Sequence, residues 1–349
     1  MLVTPAPSDP LGPFATLRPE VRARLRRAPM PEWIPPMLAT LTERRFSDPG
    51  WLFERKFDGE RCLAFRGAGR VTLMSRNARV ISGAYPELGA ALERGETEDL
   101  VVDGEIVAFA GRQTSFQRLQ RRIHLRAPER IARVLVPVYL YVFDLLYLDG
   151  FDLTGLPLLE RKRLLRRALR FADPIRFSTY RMTAGERFYD EACRRGWEGL
   201  IAKDARAPYS RGRSRDWLKF KCASGQELVV GGFTDPKGGR VGFGALLLGH
   251  YEGDRLVYAG KVGTGFDTAT LLELDRGLRA LERESSPFAT TGIAVRDAGG
   301  ATVHWVEPRL VAQVAFSEWT ADGRLRHPRF EGLRTDKEPR QVVRERASG

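Results

Sequence analysis

Residues 51–67 read WLFERKFDGERCLAFRG. Two runs of aromatic and aliphatic residues with interleaved charges flank a short Asp-Gly step, so the stretch predicts a strand, a tight turn and a second strand. Across the turn, Lys56-Phe57-Asp58-Gly59-Glu60-Arg61 form the pattern K-x-D-G-x-R. Asp-Gly after a strand is by itself an ordinary hairpin signal. The four fixed positions together would arise by chance in well under about one chain in a hundred of this length. Strand signals continue outward in RVTLMSR (70–76) and LVVDGEIVAFA (100–110), with helices expected at Tyr85–Arg94 and Ser115–Arg122. The run VLVPVYLYVFDLLYL (134–148) is dense in β-branched and aromatic residues and reads as a buried strand pair. A helix at Glu160–Phe171 puts Leu164, Leu165, Ala168 and Leu169 on one face, with arginines opposite. Another near Gly185–Arg195 leads to strands EGLIAK (198–203) and WLKFK (217–221).

After Cys222 the texture changes. Short strands with glycine turns follow a small-residue link: LVVGGFT (228–234), GALLLGHY (244–251), RLVYAGKVGTG (255–265) and VHWVEPRLVAQVAFSEWT (303–320), with one helix at Thr268–Glu284. Antiparallel strands with a single helix suggest a small barrel of the OB-fold type. Residues 1–29 are proline-rich, with a basic run at Arg22–Arg27 that would suit a helix, and read as a loosely packed arm. The fold class is therefore α+β: an arm at 1–29, a larger domain of antiparallel sheets with flanking helices at 30–222, and a β-barrel at 223–349.

The chain has 349 residues, enough for about two domains with their own cores. Hydrophobic content of 43% excludes wholesale disorder. Lys+Arg number 57 against 44 Asp+Glu, a net charge of +13 that points to a polyanion such as nucleic acid. Only eight of those 57 cations are lysine, so each lysine calls for a reason. Cys62, Cys193 and Cys222 are sparse and widely spaced, neither a disulfide framework nor a zinc cluster, which suits a reducing cytoplasm. The four histidines have no ligand spacing. The longest apolar stretch, Val134–Phe143, is about half a membrane span and contains Pro137, and the N-terminus lacks a signal-peptide core, so no membrane association is expected.

Beyond K-x-D-G-x-R, further elements follow in order: Ser75-Arg76-Asn77, Asp103-Gly104-Glu105-Ile106-Val107, Val142-Phe143-Asp144-Leu145-Leu146, Glu198-Gly199-Leu200-Ile201-Ala202-Lys203, Trp217-Leu218-Lys219-Phe220-Lys221 and Arg334-Thr335-Asp336-Lys337. Lys219 and Lys221, two apart on a strand, share a face, and two like charges there make sense if a phosphate lies between them. Glu105 and Glu198 are carboxylates at strand ends, suited to a hard ion such as Mg²⁺. Arg61 and Arg76 carry the planar fork that grips phosphate at two points. Arg55 neighbours Lys56 in sequence, and Lys219 and Lys221 would neighbour it in a folded site, a set of like charges that would favour the neutral amine of Lys56.

In these motifs, over about residues 35–340, the sequence resembles the ATP-dependent DNA ligases of the covalent nucleotidyltransferase superfamily, above all the small bacterial ligases and the ligase domain of bacterial end-joining ligases. The resemblance implies an adenylation domain at 30–222 followed by an OB-fold domain at 223–349. It implies that Lys56 takes AMP from ATP and passes it to a DNA 5′-phosphate, which the 3′-hydroxyl then attacks, in DNA repair. Further implied are stacking of adenine on Phe143, Glu54 at the base edge, Glu105 near the ribose, and Glu198 as the better metal ligand of the two. Asp58 would orient Lys56, Arg61 and Arg76 would meet nucleotide and nick phosphates, and Arg334 and Lys337 would meet pyrophosphate. Mg²⁺, or alternatively Mn²⁺, would serve as the metal. Double-stranded DNA with nicks or ends would be the partner, with bacterial Ku a further candidate, and the protein would act as a monomer in the cytoplasm, associated with the nucleoid. The rival readings are an RNA ligase, a GTP-using capping-type guanylyltransferase, and a non-catalytic OB-type nucleic-acid binder.

Overall fold

The computed structural model describes residues 12–345 apart from 96, 124, 126–130, 132–135 and 223. The chain forms two compact units, the first running to Phe220 and the second from Lys221 to Ala347. The fold class is α+β, as read from the sequence.

The first unit contains two sheets. The larger follows the strand order Arg26–Arg27, Phe151–Asp152, Val138–Leu148, Leu100–Ala110, Glu60–Gly67, Arg70–Ser75, with Ile175–Phe177 and Gln113–Thr114 added at its sides. The smaller runs Tyr180–Met182, Trp51–Lys56, Gly199–Asp204, Gly212–Lys221, Met37–Leu41. Trp51–Lys56 and Glu60–Gly67 therefore do not form a hairpin. The three residues Phe57, Asp58 and Gly59 carry the chain from one sheet into the other. Along Glu60–Gly67 the side chains alternate between two cores: Cys62 and Ala64 pack with the helices Pro86–Glu93, Phe116–Ile123 and Leu158–Ala168. Leu63 and Phe65 face a second core with Met37, Phe143, Tyr209 and Trp217. A sheet buried on both faces needs continuous apolar strands, which explains why 138–148 is one strand of 11 residues rather than the expected pair.

Other expectations are also corrected. Phe14, Leu17 and Val21 are buried in the first core, so residues 12–27 are not a loose arm. Their spacing turns three apolar side chains to one side, and burial of each outweighs the freedom it gives up. Arg26–Arg27 forms a short strand on Phe151–Asp152, not a helix. Residues 1–11 of the arm and Ala223 of the small-residue link lie outside the described residues. Cys193 and Cys222 are each disulfide-bonded, contrary to the reading of the cysteines as unbridged, while Cys62 is a buried free thiol.

The second unit is an antiparallel sheet in the order Arg255–Val262, Leu246–Glu252, Ser224–Thr234, Val303–Phe316, Glu282–Arg283, with Arg329–Leu333 also on Val303–Phe316. Its OB-type sheet is buried on both faces. Asp267 caps the helix Thr268–Arg279 by accepting from the Thr270 amide at 2.8 Å. That helix ends earlier than expected, and a second helix, Thr291–Asp297, was not foreseen. Among the described residues no helix is long and apolar enough to cross a membrane.

Gly59 has no room for a side chain: a Cβ there would lie 2.1 Å from the Ile106 carbonyl oxygen and 2.9 Å from Val107. Gly89, inside the helix Pro86–Glu93, has nothing within 4 Å of its would-be Cβ. Gly59→Ala is expected to lower the unfolding free energy by about 1–3 kcal/mol or more, whereas Gly89→Ala should raise it by about 0.5–1 kcal/mol. Chemical denaturation midpoints check both. An alanine at 59 as stable as the parent would refute the close approach.

Candidate active site

Lys56 ends its strand where the chain changes sheets, and carboxylates reach it from both sides. Gly199 is the register partner of Lys56, which brings Glu198 alongside, and its Oε2 lies 2.5 Å from Lys56 Nζ. From the larger sheet comes Glu105, opposite Arg61 in the strand pairing, and Asp58 sits two residues on. Burial pulls the Lys56 pKa down, but Glu198 first, then Asp58 and Glu105, hold it above the ordinary lysine value. This reverses the expectation that neighbouring cations would favour the free amine. Adjacent residues on a strand point to opposite faces, so Arg55 turns away, its guanidinium 4.6 Å from the Trp197 ring and 5.3 Å from Phe57. Lys221 donates to the Gly225 carbonyl and pairs with Glu345 at 2.8 Å, within the second unit. Lys219 shares its strand face with Trp217.

A second group lies two residues before Lys56. Glu54 is 1% exposed, and both of its oxygens are occupied. Oε1 accepts from Lys162 Nζ at 2.7 Å, and Oε2 accepts from Ser178 Oγ at 2.8 Å and Lys203 Nζ at 3.1 Å. Burial would raise its pKa, but Lys162 and Lys203 outweigh that and hold the carboxyl below its usual range. Phe143 stands beside this cluster. Lys203 Nζ is 4.2 Å from its ring centroid, Arg61 Cζ is 4.6 Å away, and Trp217 meets it edge-on at 5.9 Å. Such cations are drawn to the ring face. The Trp217 indole nitrogen is buried and has no hydrogen-bond partner among the described residues.

Arg61 does hold a carboxylate in two-point fashion, but it is the fully buried Asp103, at 2.5 and 2.6 Å, which also accepts from Tyr209 Oη at 2.6 Å. Arg76 follows the strand Arg70–Ser75 in its turn. In the second unit Arg334 forks onto Asp336 at 2.8 Å, and Lys337 pairs with Glu227 at 3.0 Å. The structure thus gathers Lys56, Asp58, Glu105 and Glu198 in one place and Glu54, Phe143 and Arg61 beside them. Sequence reading missed Lys162, Ser178, Asp103, Tyr209 and Trp217 as contributors. Only the scarcity of lysine pointed at Lys162.

Among the described residues no group of three His, Cys, Asp or Glu side chains is gathered as a ready metal site. Glu105 and Glu198 still fit Mg²⁺, which takes one or two carboxylates and keeps several waters.

Residues 36–221 match the family model for an ATP dependent DNA ligase domain, and 239–337 match that for an ATP dependent DNA ligase C terminal region. The chain is 39% identical over 330 residues to the multifunctional non-homologous end joining protein LigD of Pseudomonas aeruginosa, covering 93% of this chain and 38% of that protein. It is 32% identical to a DNA ligase of Thermococcus fumicolans, covering 83% of this chain and 53% of that one. Among solved structures, a mycobacterial DNA ligase D complexed with ATP and MES matches 90% of this chain and 99% of that chain, at 34% identity and a TM-score of 0.65. The chain spans well under half the length of the LigD relatives it matches.

Burial brings the Lys203 pKa down to about 8, with Glu54 opposing. Unfolded lysine titrates near 10.4, so between those values the unfolded chain binds more protons, and the stability this group contributes rises with pH. Urea denaturation from about pH 7 to about pH 10 should therefore show the parent gaining stability relative to Lys203→Met above about pH 8. A difference that stays flat would contradict the depressed pKa.

Proposed function

Because this chain belongs to the ATP-dependent DNA ligase family, we propose that it seals 5′-phosphate/3′-hydroxyl nicks or breaks in DNA through a lysyl-AMP on Lys56. The observation that carries this reading is Lys56 at the passage between two sheets, ringed by Glu198, Asp58 and Glu105, with the Glu54–Phe143 cluster alongside. In the first step Lys56 Nζ gives up a proton and bonds to the α-phosphorus as the bond to pyrophosphate breaks. In the second a DNA 5′-phosphate oxygen takes the AMP from Lys56. In the third the 3′-hydroxyl gives up its proton and attacks the phosphorus of the DNA 5′-phosphate, and AMP leaves as the phosphodiester bond forms.

Phe143 would carry the adenine ring and Glu54 would face its amino edge. Asp58 would orient Lys56, and Glu105 would approach the ribose. Lys219 and Lys221 would neutralise the α-phosphate as charge builds there. Arg61 and Arg76 would grip nucleotide and nick phosphates, and Arg334 and Lys337 the leaving pyrophosphate. A Mg²⁺ or Mn²⁺ ion on Glu198 and Glu105 would supply positive charge against the triphosphate and offset the carboxylates that hold Lys56 charged.

The relatives named for non-homologous end joining support a role in double-strand break repair, where a Ku-type end-binding protein would be the partner. Breaks in the chromosome would place it in the cytoplasm, on the nucleoid, acting as a monomer. Intact-mass analysis after incubation with ATP should reveal one added AMP, absent from Lys56→Ala, and only the parent should seal a nicked duplex. An adduct formed from GTP alone, or one that survives Lys56→Ala, would overturn the assignment.

A further inference from the structure

Lys162 belongs to none of the motifs, yet it is 1% exposed, which is rare for lysine. It lies on the helix Leu158–Ala168, and its ammonium has three acceptors for three N–H donors: Glu54 Oε1 at 2.7 Å, the Phe143 carbonyl at 3.1 Å and the Ser178 carbonyl at 3.3 Å. The Phe177 and Tyr180 rings line its other sides, at 4.8 and 5.3 Å. Three segments thus converge on one nitrogen. Glu54 belongs to the smaller sheet and Phe143 to the larger, so the ammonium ties the two sheets together beside Lys56. A guanidinium is larger and planar and cannot reach three acceptors around one point, which explains a lysine in a chain that otherwise prefers arginine.

We propose that Lys162 is a positioning residue for purine selection, fixing the Glu54 carboxylate relative to the Phe143 ring so that the site prefers a 6-amino purine nucleotide over a 6-oxo one. This rests on the reading of Glu54 and Phe143 as the base-edge and base-stacking residues. Ser178 and Lys203 occupy Oε2, and Lys162 occupies one side of Oε1. What remains on Oε1 is a single acceptor direction, and Lys162 sets it. An exocyclic amine can donate to that oxygen; a 6-oxo group there meets a second acceptor and is left unpaired. The Phe143 backbone is held by the same nitrogen, so the platform and the edge reader move together.

The test compares self-adenylation rates with ATP and with ITP, read as nucleotide adduct on Lys56, for the parent, Lys162→Met, Glu54→Gln and the double variant. Lys162→Gln keeps a neutral donor on a shorter stem and takes the place of Lys162→Met should that protein not fold. Lys162→Met should raise the KM for ATP and reduce the ATP-to-ITP preference by about tenfold or more, the range of one hydrogen bond to a charged group. Its kcat at saturating ATP should change less. Glu54→Gln should reduce the same preference, and the double variant should lose little beyond either single one, because both act through one carboxylate. Should Glu54→Gln reduce the preference while Lys162→Met lowers only thermal stability, Lys162 is a structural residue and the proposal fails, although the reading of Glu54 survives. Should neither change the preference, the reading of Glu54 fails and the proposal with it.

Discussion

The passage from one sheet into the other between Lys56 and Glu60 depends on a residue without a side chain at 59, because the chain there runs against the Ile106 carbonyl. Much of the site follows from that contact. It ends the Trp51–Lys56 strand at the border of two sheets instead of turning it back on itself. It also sets Glu60 opposite Ile106 and Arg61 opposite Glu105, so the larger sheet delivers its carboxylate beside the lysine. The smaller sheet delivers Glu198 through the pairing of Gly199 with Lys56. A hairpin at Asp58-Gly59 would have placed both strands in one sheet and drawn its neighbours from that sheet alone.

Charge is organised around the same border. The chain carries a net +13, yet four cations at the candidate site are matched by carboxylates: Lys56 with Glu198, Arg61 with Asp103, and Lys162 and Lys203 with Glu54. In a low-dielectric interior an unmatched charge costs several kcal/mol, on the order of 3–5 when one partner of a buried pair is removed. One lysine sits where acceptors crowd one point, and others meet a single carbonyl or carboxylate. Lys162 meets three at once, and Lys237 and Lys261 reach the Gly299 and Asp297 carbonyls at the end of the helix Thr291–Asp297. Carbonyls at a helix C-terminus lack intrahelical donors and favour such cations. Arginine serves where a planar carboxylate is held from the side, as in Arg61 on Asp103, Arg161 on Asp144 and Arg334 on Asp336.

What the sequence made legible was local: the strands either side of Lys56, the motif residues, and the change of texture at Cys222. The sheet exchange at Gly59 was not, because Asp-Gly serves a hairpin as readily as a crossing and the deciding contact lies at Ile106, 47 positions away by number. The charge around Lys56 differs from expectation for a related reason. Arg55 is its neighbour in sequence but lies on the other face of the strand, whereas Glu198 is its neighbour in space. Lys162 and Glu54 stand 108 residues apart, and no periodicity in a single sequence links them. In contrast, the error over Phe14, Leu17 and Val21 was avoidable, since their spacing already described one apolar face.

The carboxylate partners also bear on how a polyphosphate would be received. In the first unit Arg61 is held by Asp103, and in the second Lys221, Arg334 and Lys337 are held by Glu345, Asp336 and Glu227, so a phosphate at any one of them would exchange one anion for another instead of meeting a bare cation. Exchange favours an anion that offers more charge and more acceptor oxygens than a carboxylate does, which a triphosphate or a DNA phosphate chain provides and a monoanion does not. The cost of exchange differs between the pairs. Burial alone would raise the Asp336 pKa, and both Arg334 and Lys337 hold it ionised, so withdrawing one cation still leaves the other beside it. Asp103 is fully buried and depends on Arg61 together with the Tyr209 hydroxyl. If Arg61 turned away, Asp103 would be left with the Tyr209 hydroxyl alone, so that pair is the more costly of the two to open.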